Sequence, residues 1–347
     1  MRQTIMRYSW VAIGLAVLAL GAGIALHAGW IEAPRVFGFN GSAAPCEVDN
    51  QIDADARAEI DRTAETFGKT FLGADPDRSL ALMTDAARAT TTGDLAEGLK
   101  RSTGGAKFTH IRVLRTIYME NHGTGADGHI LCPVGGHRVS LFVRPGANQA
   151  HVLVGADSPN ASFTLALWLL PEHGGWRVQF AHVGVSAMAG HDTASLLAMS
   201  GAEHDAGHDF NAAMLYTAAV GTSDLGNSYQ DAEIGKTLRL ARDRLRRPAE
   251  LTGAPPFTWT LGGKDYKVGH ISIEGIGGQI GLIFDLPQAD WPSDQAANER
   301  GREFLNAYVA AHPEYARVFG YLLARAIKPD YSGGYATLYR RGTGLLN

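Results

Sequence analysis

The sequence predicts an α+β protein behind an N-terminal transmembrane helix, and three observations support this prediction. An almost purely apolar run extends from Trp10 to Ile31. From Gln51 onward, apolar residues recur at the three- and four-residue steps of helices, and from Phe108 they alternate at the two-residue step of strands. Helices that precede a block of strands indicate separate helical and sheet layers, which is the α+β class.

The apolar run is long enough to cross a membrane. Its 22 residues extend about 33 Å as a helix, against about 30 Å for the hydrocarbon core of a bilayer. Arg2 and Arg7 precede it, which places the N-terminus inside and the C-terminal body in the periplasm or outside the cell. We therefore expect residues 1–31 to be a signal anchor in the inner membrane. One alternative is a secretory signal cut after Ala25 or Ala28, which leaves an exported soluble body, and another is a buried core helix.

Composition indicates a globular bacterial protein that does not bind nucleic acid. Apolar residues make up 45% of the chain and charged residues 19%, which is typical of folded domains. Lysine supplies seven of the 31 basic residues, and with 42 glycines this bias is typical of a high-GC genome. The chain after residue 35 keeps 28 basic and 34 acidic residues, a net charge of −6. Such a body has no strong positive field for nucleic acid.

Two cysteines fall in the part predicted to be exported. Disulfides persist outside the cytoplasm, so Cys46 and Cys132 are a candidate pair. A bridge between them closes a loop of about 86 residues, for which chain entropy gives roughly 4–5 kcal/mol of stabilisation. The alternative is one buried thiol and one unrelated thiol in the linker.

Changes of pattern along the chain define five segments. They are the anchor at 1–31, a Pro/Gly/Ala-rich linker at 32–50, an α+β domain at 51–190, a helical connector at 191–247 and a C-terminal α+β domain at 255–341. The first α+β domain begins with a helix whose apolar stripe includes Ile60, Phe67 and Phe71. Two shorter helices are predicted over Asp77–Arg88 and Gly93–Lys100. The predicted strands of this domain are Phe108–Met119, Gly128–Cys132, Arg138–Val143, Ala150–Val154, Ser162–Leu170 and Trp176–Val183.

The order of elements within residues 51–190 has a counterpart among known folds. A long first helix is followed by a run of antiparallel strands, and a late hairpin places Gly174 and Gly175 directly before Trp176. With these features the domain resembles the cone-shaped nuclear-transport-factor-like (cystatin-like) superfamily. The resemblance implies a fold with a pocket, and it implies no particular chemistry, because members include enzymes, binding modules and scaffolds.

The cone-like fold implies a candidate pocket on the concave face of its sheet. Strand residues Trp168, Phe180 and His182 would line this face, and the long helix would lay Phe67 and Phe71 across it. Aromatic residues at such positions usually form core. The alternative interpretation is a pocket for a small ligand or a peptide.

The connector contains a repeat-like helical hairpin. Gly207, Ala212, Tyr216 and Ala219 match the turn and second helix of a tetratricopeptide repeat, so the hairpin resembles one such unit. A single unit implies packing on a neighbouring domain, because these repeats usually need about three units to bury a core. The arginine-rich helix that follows, from Lys236 to Arg247, is expected to be solvated. An acidic partner or anionic head groups are the alternatives.

The C-terminal domain reads as two hairpins, two further strands and a helix. The hairpins are Thr258–Leu261 with Tyr266–Val268 and Phe319–Ile327 with Tyr335–Arg340, the strands are His270–Glu274 and Ile280–Leu286, and the helix is Ala296–Ala311.

Two motifs resemble functional sites without meeting their requirements. His204 and His208 have the spacing of helical zinc ligands, but Gly207 should break the helix between them, so no metal is expected there. Gly275–Gly281 resembles a dinucleotide loop, but a strand follows it where a helix N-terminus is needed, so a hairpin turn is expected. The sequence predicts no catalytic residue and no cofactor.

These observations favour a membrane-anchored bacterial envelope protein that binds or scaffolds within an extracytoplasmic assembly. Its expected partners are the membrane, through the N-terminal helix, and an envelope protein. The alternative is an enzyme that binds or processes a small molecule in the cone pocket, with His182 as acid or base. A closed, apolar interior favours the scaffold, and a titratable group that converges with a second polar group favours the enzyme.

Overall fold

The computed structural model describes residues 46–73, 75–91, 106–120, 127–288, 293–328 and 334–346. Over these residues the fold is α+β, with a curled antiparallel sheet and several helices, as the sequence predicts. The residues group into two compact units. The first unit comprises the described residues up to Ser186 together with Thr222–Arg239, and the second comprises Ala187–Gly221 and the described residues from Leu240.

The prediction of a transmembrane helix is corrected by the helices that the structure describes. None of these helices is both long and apolar enough to cross a membrane. The two longest, Ala54–Leu72 and Asp294–Ala311, bury one face and carry charged residues on the other. The membrane-anchor assignment therefore finds no support among the described residues, and the segment 1–31, to which it was given, lies outside them.

The first unit begins with helix α1 (Ala54–Leu72), which forms where apolar residues recur with helical spacing. Asp53 caps it, because its carboxylate accepts hydrogen bonds from the backbone N–H groups of Asp55 at 3.1 Å and Ala56 at 3.0 Å. The helix stops at Gly73. It begins at Ala54, three residues later than Gln51, where the sequence pattern predicts its start.

Two short helices follow, α2 (Pro76–Ala81) and α3 (Asp85–Thr90). The sequence predicts one helix over Asp77–Arg88. The structure has two, because Thr84 starts a new helix by accepting a hydrogen bond from the N–H of Ala87 at 3.1 Å. The predicted helix over Gly93–Lys100 lies outside the described residues.

Six of the strands before Ala232 agree closely with the alternating pattern of the sequence. The strands described in this region are β1 (Glu47–Val48), β2 (Thr109–Met119), β3 (Gly128–Val134), β4 (His137–Val143), β5 (Gln149–Asp157), β6 (Ala161–Glu172), β7 (Gly175–Met188), β8 (His191–Asp192) and β9 (Tyr229–Asp231). The short strands β1, β8 and β9 were not predicted, and the last lies within the predicted helical connector. A six-stranded sheet has the order β1-β2-β5-β6-β7-β8, and a three-stranded sheet has the order β3-β4-β9. Shifts of register between β2 and β5 occur before Arg112 and Arg115, and such bulges bend a strand.

The second unit contains most of the helical connector and the C-terminal strands. Its remaining elements are α4 (Thr193–Asp205), α5 (Asp209–Thr222), β10 (Phe257–Leu261), β11 (Lys264–Val268), β12 (His270–Ile276), β13 (Gln279–Pro287), α7 (Asp294–Ala311), β14 (Tyr321–Ile327), β15 (Gly334–Arg340) and β16 (Gly344–Leu346). Helix α6 (Ala232–Arg244) contributes residues to both units.

Strands β12 to β16 form a five-stranded sheet in sequence order. Strands β13 and β14 are parallel and are joined through α7, whereas the other pairs are antiparallel. Phe304 and Tyr308 of α7 pack on Phe284 of β13, with ring centroids 5.1 and 4.7 Å away. This aromatic packing covers one face of the five-stranded sheet and leaves the opposite face to other side chains.

Candidate functional site

The interior between α1 and the six-stranded sheet is filled by apolar side chains. Ile60, Ala64 and Phe67 are fully buried on α1. They pack in one cluster with alternate residues of the strands and with Trp176, and the strand members are Ala150, Val152, Val154, Leu165, Leu167, Leu169 and Val178. Apolar side chains three and four residues apart on the helix therefore pack on apolar side chains two residues apart on the strands. Together they form an ordinary hydrophobic core.

The structure does not bring the five residues of the candidate pocket together. Phe67 lies in the core beneath α1, and Phe71 stacks on it with ring centroids 5.2 Å apart. Trp168 lies on the opposite face of the sheet, because it alternates with Leu167 and Leu169, which face α1. Its indole N–H donates to Gln149 Oε1 at 3.1 Å.

Phe180 and His182 lie outside the core beneath α1. The residues of β7 that face α1 are Trp176 and Val178 and then Ala181 and Val183, so the alternation shifts by one position between the two pairs. Phe180 is consequently 40% exposed. His182 Nε2 lies 3.8 Å from Asp224 Oδ1, which is too long for a good hydrogen bond.

The face of the sheet that carries Trp168 holds a cluster that the sequence did not single out. His151 is fully buried and stacks parallel to Trp168, with centroids 6.1 Å apart. Its Nε2 donates to the carbonyl oxygen of Phe142 at 2.9 Å, and its Nδ1 has no partner among the described residues. Burial lowers the pKa of His151 to about 3. This imidazole is therefore neutral at physiological pH and a weak base.

The two cysteines form a disulfide in the structure, with their Cα atoms 5.7 Å apart. Cys132 is fully buried on β3, and Cys46 lies directly before β1 at the edge of the sheet. The segment that follows Cys46 is also held by Asp49, whose carboxylate accepts from the N–H of Thr116 at 3.0 Å and lies 3.5 Å from Arg115 Nε. The start of the described chain is thus tied to the first unit by a covalent bond and by charge.

The histidine pair of the connector is separated as the sequence predicts. Helix α4 ends at Asp205, Gly207 has a φ of 82°, and α5 begins at Asp209. His208 Nδ1 donates to Glu203 Oε2 at 2.9 Å, whereas His204 Nδ1 lies 3.3 Å from Asp209. The two imidazoles therefore point to different carboxylates.

Glu203 is the centre of a structural network in the second unit. Besides His208, it accepts from Asn211 Nδ2 at 2.9 Å and from Arg317 Nε at 3.0 Å. Burial opposes the charge of Glu203, but these three donors outweigh it and lower the pKa of the carboxyl. A buried carboxylate that accepts hydrogen bonds from three donors has its hydrogen-bonding needs met. It therefore stabilises the helical hairpin and is not available to bind a metal or a ligand.

Three side chains at the surface of the first unit place possible metal-ligand atoms close together. Atoms of Asp85, Glu172 and His173 all lie within 4.8 Å of one another. The hydrogen bond from His173 at 3.0 Å is the largest of the effects that lower the pKa of Asp85, and Arg88 pairs with the same carboxylate. An exposed ion-pair network explains why these side chains lie together, because His173 and Arg88 both pair with the carboxylate of Asp85.

The most unusual chemistry lies on the face of the five-stranded sheet opposite α7, which we call the polar face. Its members are His270, Ser272 and Glu274 of β12, Asp285 of β13 and Arg325 of β14. They share a face because His270, Asp285 and Arg325 are paired in register across the three strands, and Ser272 and Glu274 follow at two-residue steps.

The polar face is buried although its groups are charged. The side chains of Asp285 and Arg325 are 12% and 5% exposed, and Arg325 Nε donates to Asp285 Oδ1 at 2.5 Å. Ser272 Oγ, Glu274 Oε1 and Arg325 Nη2 have no hydrogen-bond partner among the described residues. Burial raises the pKa of Glu274 to about 7, against the attraction of Arg325. Glu274 can therefore hold or release a proton near neutral pH.

Sequence reasoning overlooked the polar face, although the sequence contained a signal for it. Polar residues at 270, 272 and 274 alternate with Ile271 and Ile273, and a charged residue occupies each of the two adjoining strands at the paired position. The alternation is typical of a sheet with one solvated face, and it does not reveal that this face is buried.

Comparison of the chain with protein-family models, with curated proteins and with solved structures finds no match. Function is therefore inferred from the geometry of the chain itself.

Proposed function

We propose that this protein is a non-catalytic binding or scaffolding protein that works in an oxidising compartment outside the cytoplasm. The observation that supports it best is the packed interior between α1 and the sheet. Ile60, Ala64 and Phe67 are fully buried in a cluster of apolar side chains. A ligand could occupy that space only by displacing the core, which costs several kcal/mol per emptied aromatic or aliphatic site.

The compartment is inferred from the disulfide. Cys46 and Cys132 are bonded, and such bonds form and persist in oxidising compartments. The test is to block free thiols in intact cells that make the protein, purify it, and determine the state of both cysteines by mass spectrometry. The proposal expects a disulfide-linked pair that is unreactive until reduced. Two blocked, reduced thiols would place the working protein in a reducing compartment.

The binding or scaffolding role is tested by removing the groups best suited to chemistry. A deletion strain is complemented with His182→Ala, with Glu274→Gln, or with the unchanged chain. Because neither side chain carries out a reaction in this proposal, both variants should restore the phenotype fully. A variant that melts at or above the temperature of the unchanged protein and fails to complement would overturn the proposal.

A second candidate function, binding or processing of a small molecule, is supported by the polar face. Glu274 has a pKa of about 7 and lies with Ser272 and Arg325 on a face where three polar atoms find no partner within the described part of the chain. A titratable group beside further polar groups is a frequent sign of an active site. Loss of complementation in Glu274→Gln alone would favour this candidate.

A further inference from the structure

We propose that the C-terminal part of α6 and the residues directly after it, Leu240–Arg247, form a docking surface for an acidic segment of a partner protein. The inference names the partner class for the proposed binding role and rests on it. The segment contains four arginines and one aspartate, a net charge of +3, in a chain whose net charge is −4. Local charge is therefore opposite in sign to that of the whole molecule, so an acidic partner is attracted to this surface specifically.

The side chains of this surface are available. Arg244 and Arg246 are exposed and have no ion-pair or hydrogen-bond partner among the described residues, whereas Arg242 pairs with Asp243 at 3.1 Å. Arg247 donates to the carbonyl oxygen of Leu251 at 3.1 and 2.7 Å, which holds its guanidinium in place. Two guanidinium groups thus remain free to form bidentate contacts with carboxylates.

An exposed leucine lies within the same surface. Leu240 is 54% exposed, more than Leu114 and Phe180, which are 45% and 40% exposed. It lies four residues before Arg244, so both side chains emerge on one side of the helix. An apolar anchor beside free arginines is the composition of a protein-docking site, because burial of the anchor adds affinity and the charges select the partner.

The same features argue against a membrane surface as the occupant. A helix that binds at the bilayer interface inserts a broad apolar face among the head groups. In α6, Leu238 is fully buried and Ala241 is half-buried, and Leu245 directly after the helix is half-buried too. Leu240 is therefore the large apolar side chain that this surface exposes. One leucine fits a shallow apolar contact on a protein better than it anchors a helix in lipid.

The test uses the full chain and a fluorescein-labelled oligoglutamate peptide with leucine at every fourth position, measured by fluorescence anisotropy at low salt. The peptide should bind, and binding should weaken at least about tenfold in R244E/R246E and several-fold in R244Q/R246Q, in which the helix terminus carries no new negative charge. The matched control is R62E/R78E, which changes the same charge at two exposed positions of the first unit. Its affinity should stay within about twofold of that of the unchanged chain.

Further probes identify the occupant. Leu240→Ala should weaken binding of the leucine-containing peptide about tenfold. It should leave the affinity for oligoglutamate without leucine unchanged. Equal losses in R244E/R246E and R62E/R78E, or no peptide binding at all, would overturn the proposal. So would binding to phosphatidylglycerol vesicles that depends on Arg244 and Arg246 while the peptide does not bind. If the peptide fails and the variants of His182 and Glu274 still complement, the docking surface is wrong and the proposed function stands.

Discussion

The two largest sheets among the described residues bury their faces with different chemistry. In the first unit, the face of the six-stranded sheet beneath α1 is filled by apolar residues such as Val152 and Leu167. In the second unit, the five-stranded sheet has an aromatic face beneath α7 and a buried polar face with Glu274, Asp285 and Arg325. Apolar burial stabilises the fold at any pH. Burial of ionisable groups makes stability depend on pH and on each partner, so the two sheets should respond differently to substitution.

The largest expected effect tests the apolar face. Phe67→Ala empties a fully buried aromatic site and should lower the free energy of unfolding by about 3–5 kcal/mol. Denaturant unfolding at constant pH measures it. The control is Phe180→Ala, which removes the same ring from a side chain that is 40% exposed and should cost less than about 1 kcal/mol. Equal effects in the two variants would mean that the interior beneath α1 is not a packed core.

The polar face is tested next by separating its ion pair. Arg325→Met leaves Asp285, whose side chain is 12% exposed, without its guanidinium partner. The free energy of unfolding should fall by about 3–5 kcal/mol, because the buried carboxylate loses its charge-assisted hydrogen bond and is left with the imidazole of His270, whose Nδ1 lies 3.7 Å away. The double variant Arg325→Met with Asp285→Leu removes both charges and should recover most of the loss. If the double variant is as unstable as the single one, shape and not charge determines stability on this face.

Glu274 gives a smaller effect that changes with pH. Its folded-state pKa is raised from 4.5 to about 7, so the folded protein favours the protonated form. The stability that goes with this preference is fully present below pH 4.5, declines between pH 4.5 and 7, and is absent above that range. The free energy of unfolding should therefore be about 3 kcal/mol lower above pH 7 than below pH 4.5 from this group alone.

Glu274→Gln should therefore be more stable than the unchanged protein at pH 8 and nearly equal to it at pH 5. Thermal melts at the two pH values measure the difference, and hydrogen exchange of β12 and β13 assigns it to the second unit. Glu303→Gln is the control, because Glu303 is exposed and pairs with Lys264 at the surface. A stability difference that is the same at both pH values would refute the raised pKa.

Periodicity in the sequence predicted most of the described elements. It did not predict which residues line the interior beneath α1, because periodicity does not say which face of a strand the helix covers. The alternation of β6 already places Trp168 on one face and Leu167 and Leu169 on the other. Which face α1 covers depends on tertiary packing, and the helix took the more apolar one. The shift of alternation in β7 that moves Phe180 and His182 out of the core leaves no clear mark in the sequence either.

The charged site was harder to predict than the fold. The row of His270, Asp285 and Arg325 depends on the register of three strands, two of which are joined through α7. A single sequence gives the strands but not their order or register, so the ion pair could not be foreseen. The resemblance of residues 51–190 to the cone-shaped superfamily, and of the helical hairpin to a tetratricopeptide unit, stays a prediction.

The smallest expected effect concerns His182, which separates a structural from a catalytic role in the first unit. Its side chain is 29% exposed, and its nearest charged partner, Asp224, is 3.8 Å away. His182→Ala removes no strong interaction, so it should change the free energy of unfolding by less than about 1 kcal/mol.

A neighbouring glycine supplies the matched control for His182. Gly226 has a φ of 78°, and a Cβ there would lie 2.7 Å from the Cγ of His182. Gly226→Ala should therefore destabilise the protein through both backbone strain and collision, by more than about 1 kcal/mol. Adding His182→Ala should relieve the collision and leave the strain, so the double variant should be more stable than Gly226→Ala alone. If the double variant regains nothing, the imidazole does not pack against this loop, and His182 would then be free to contact a ligand.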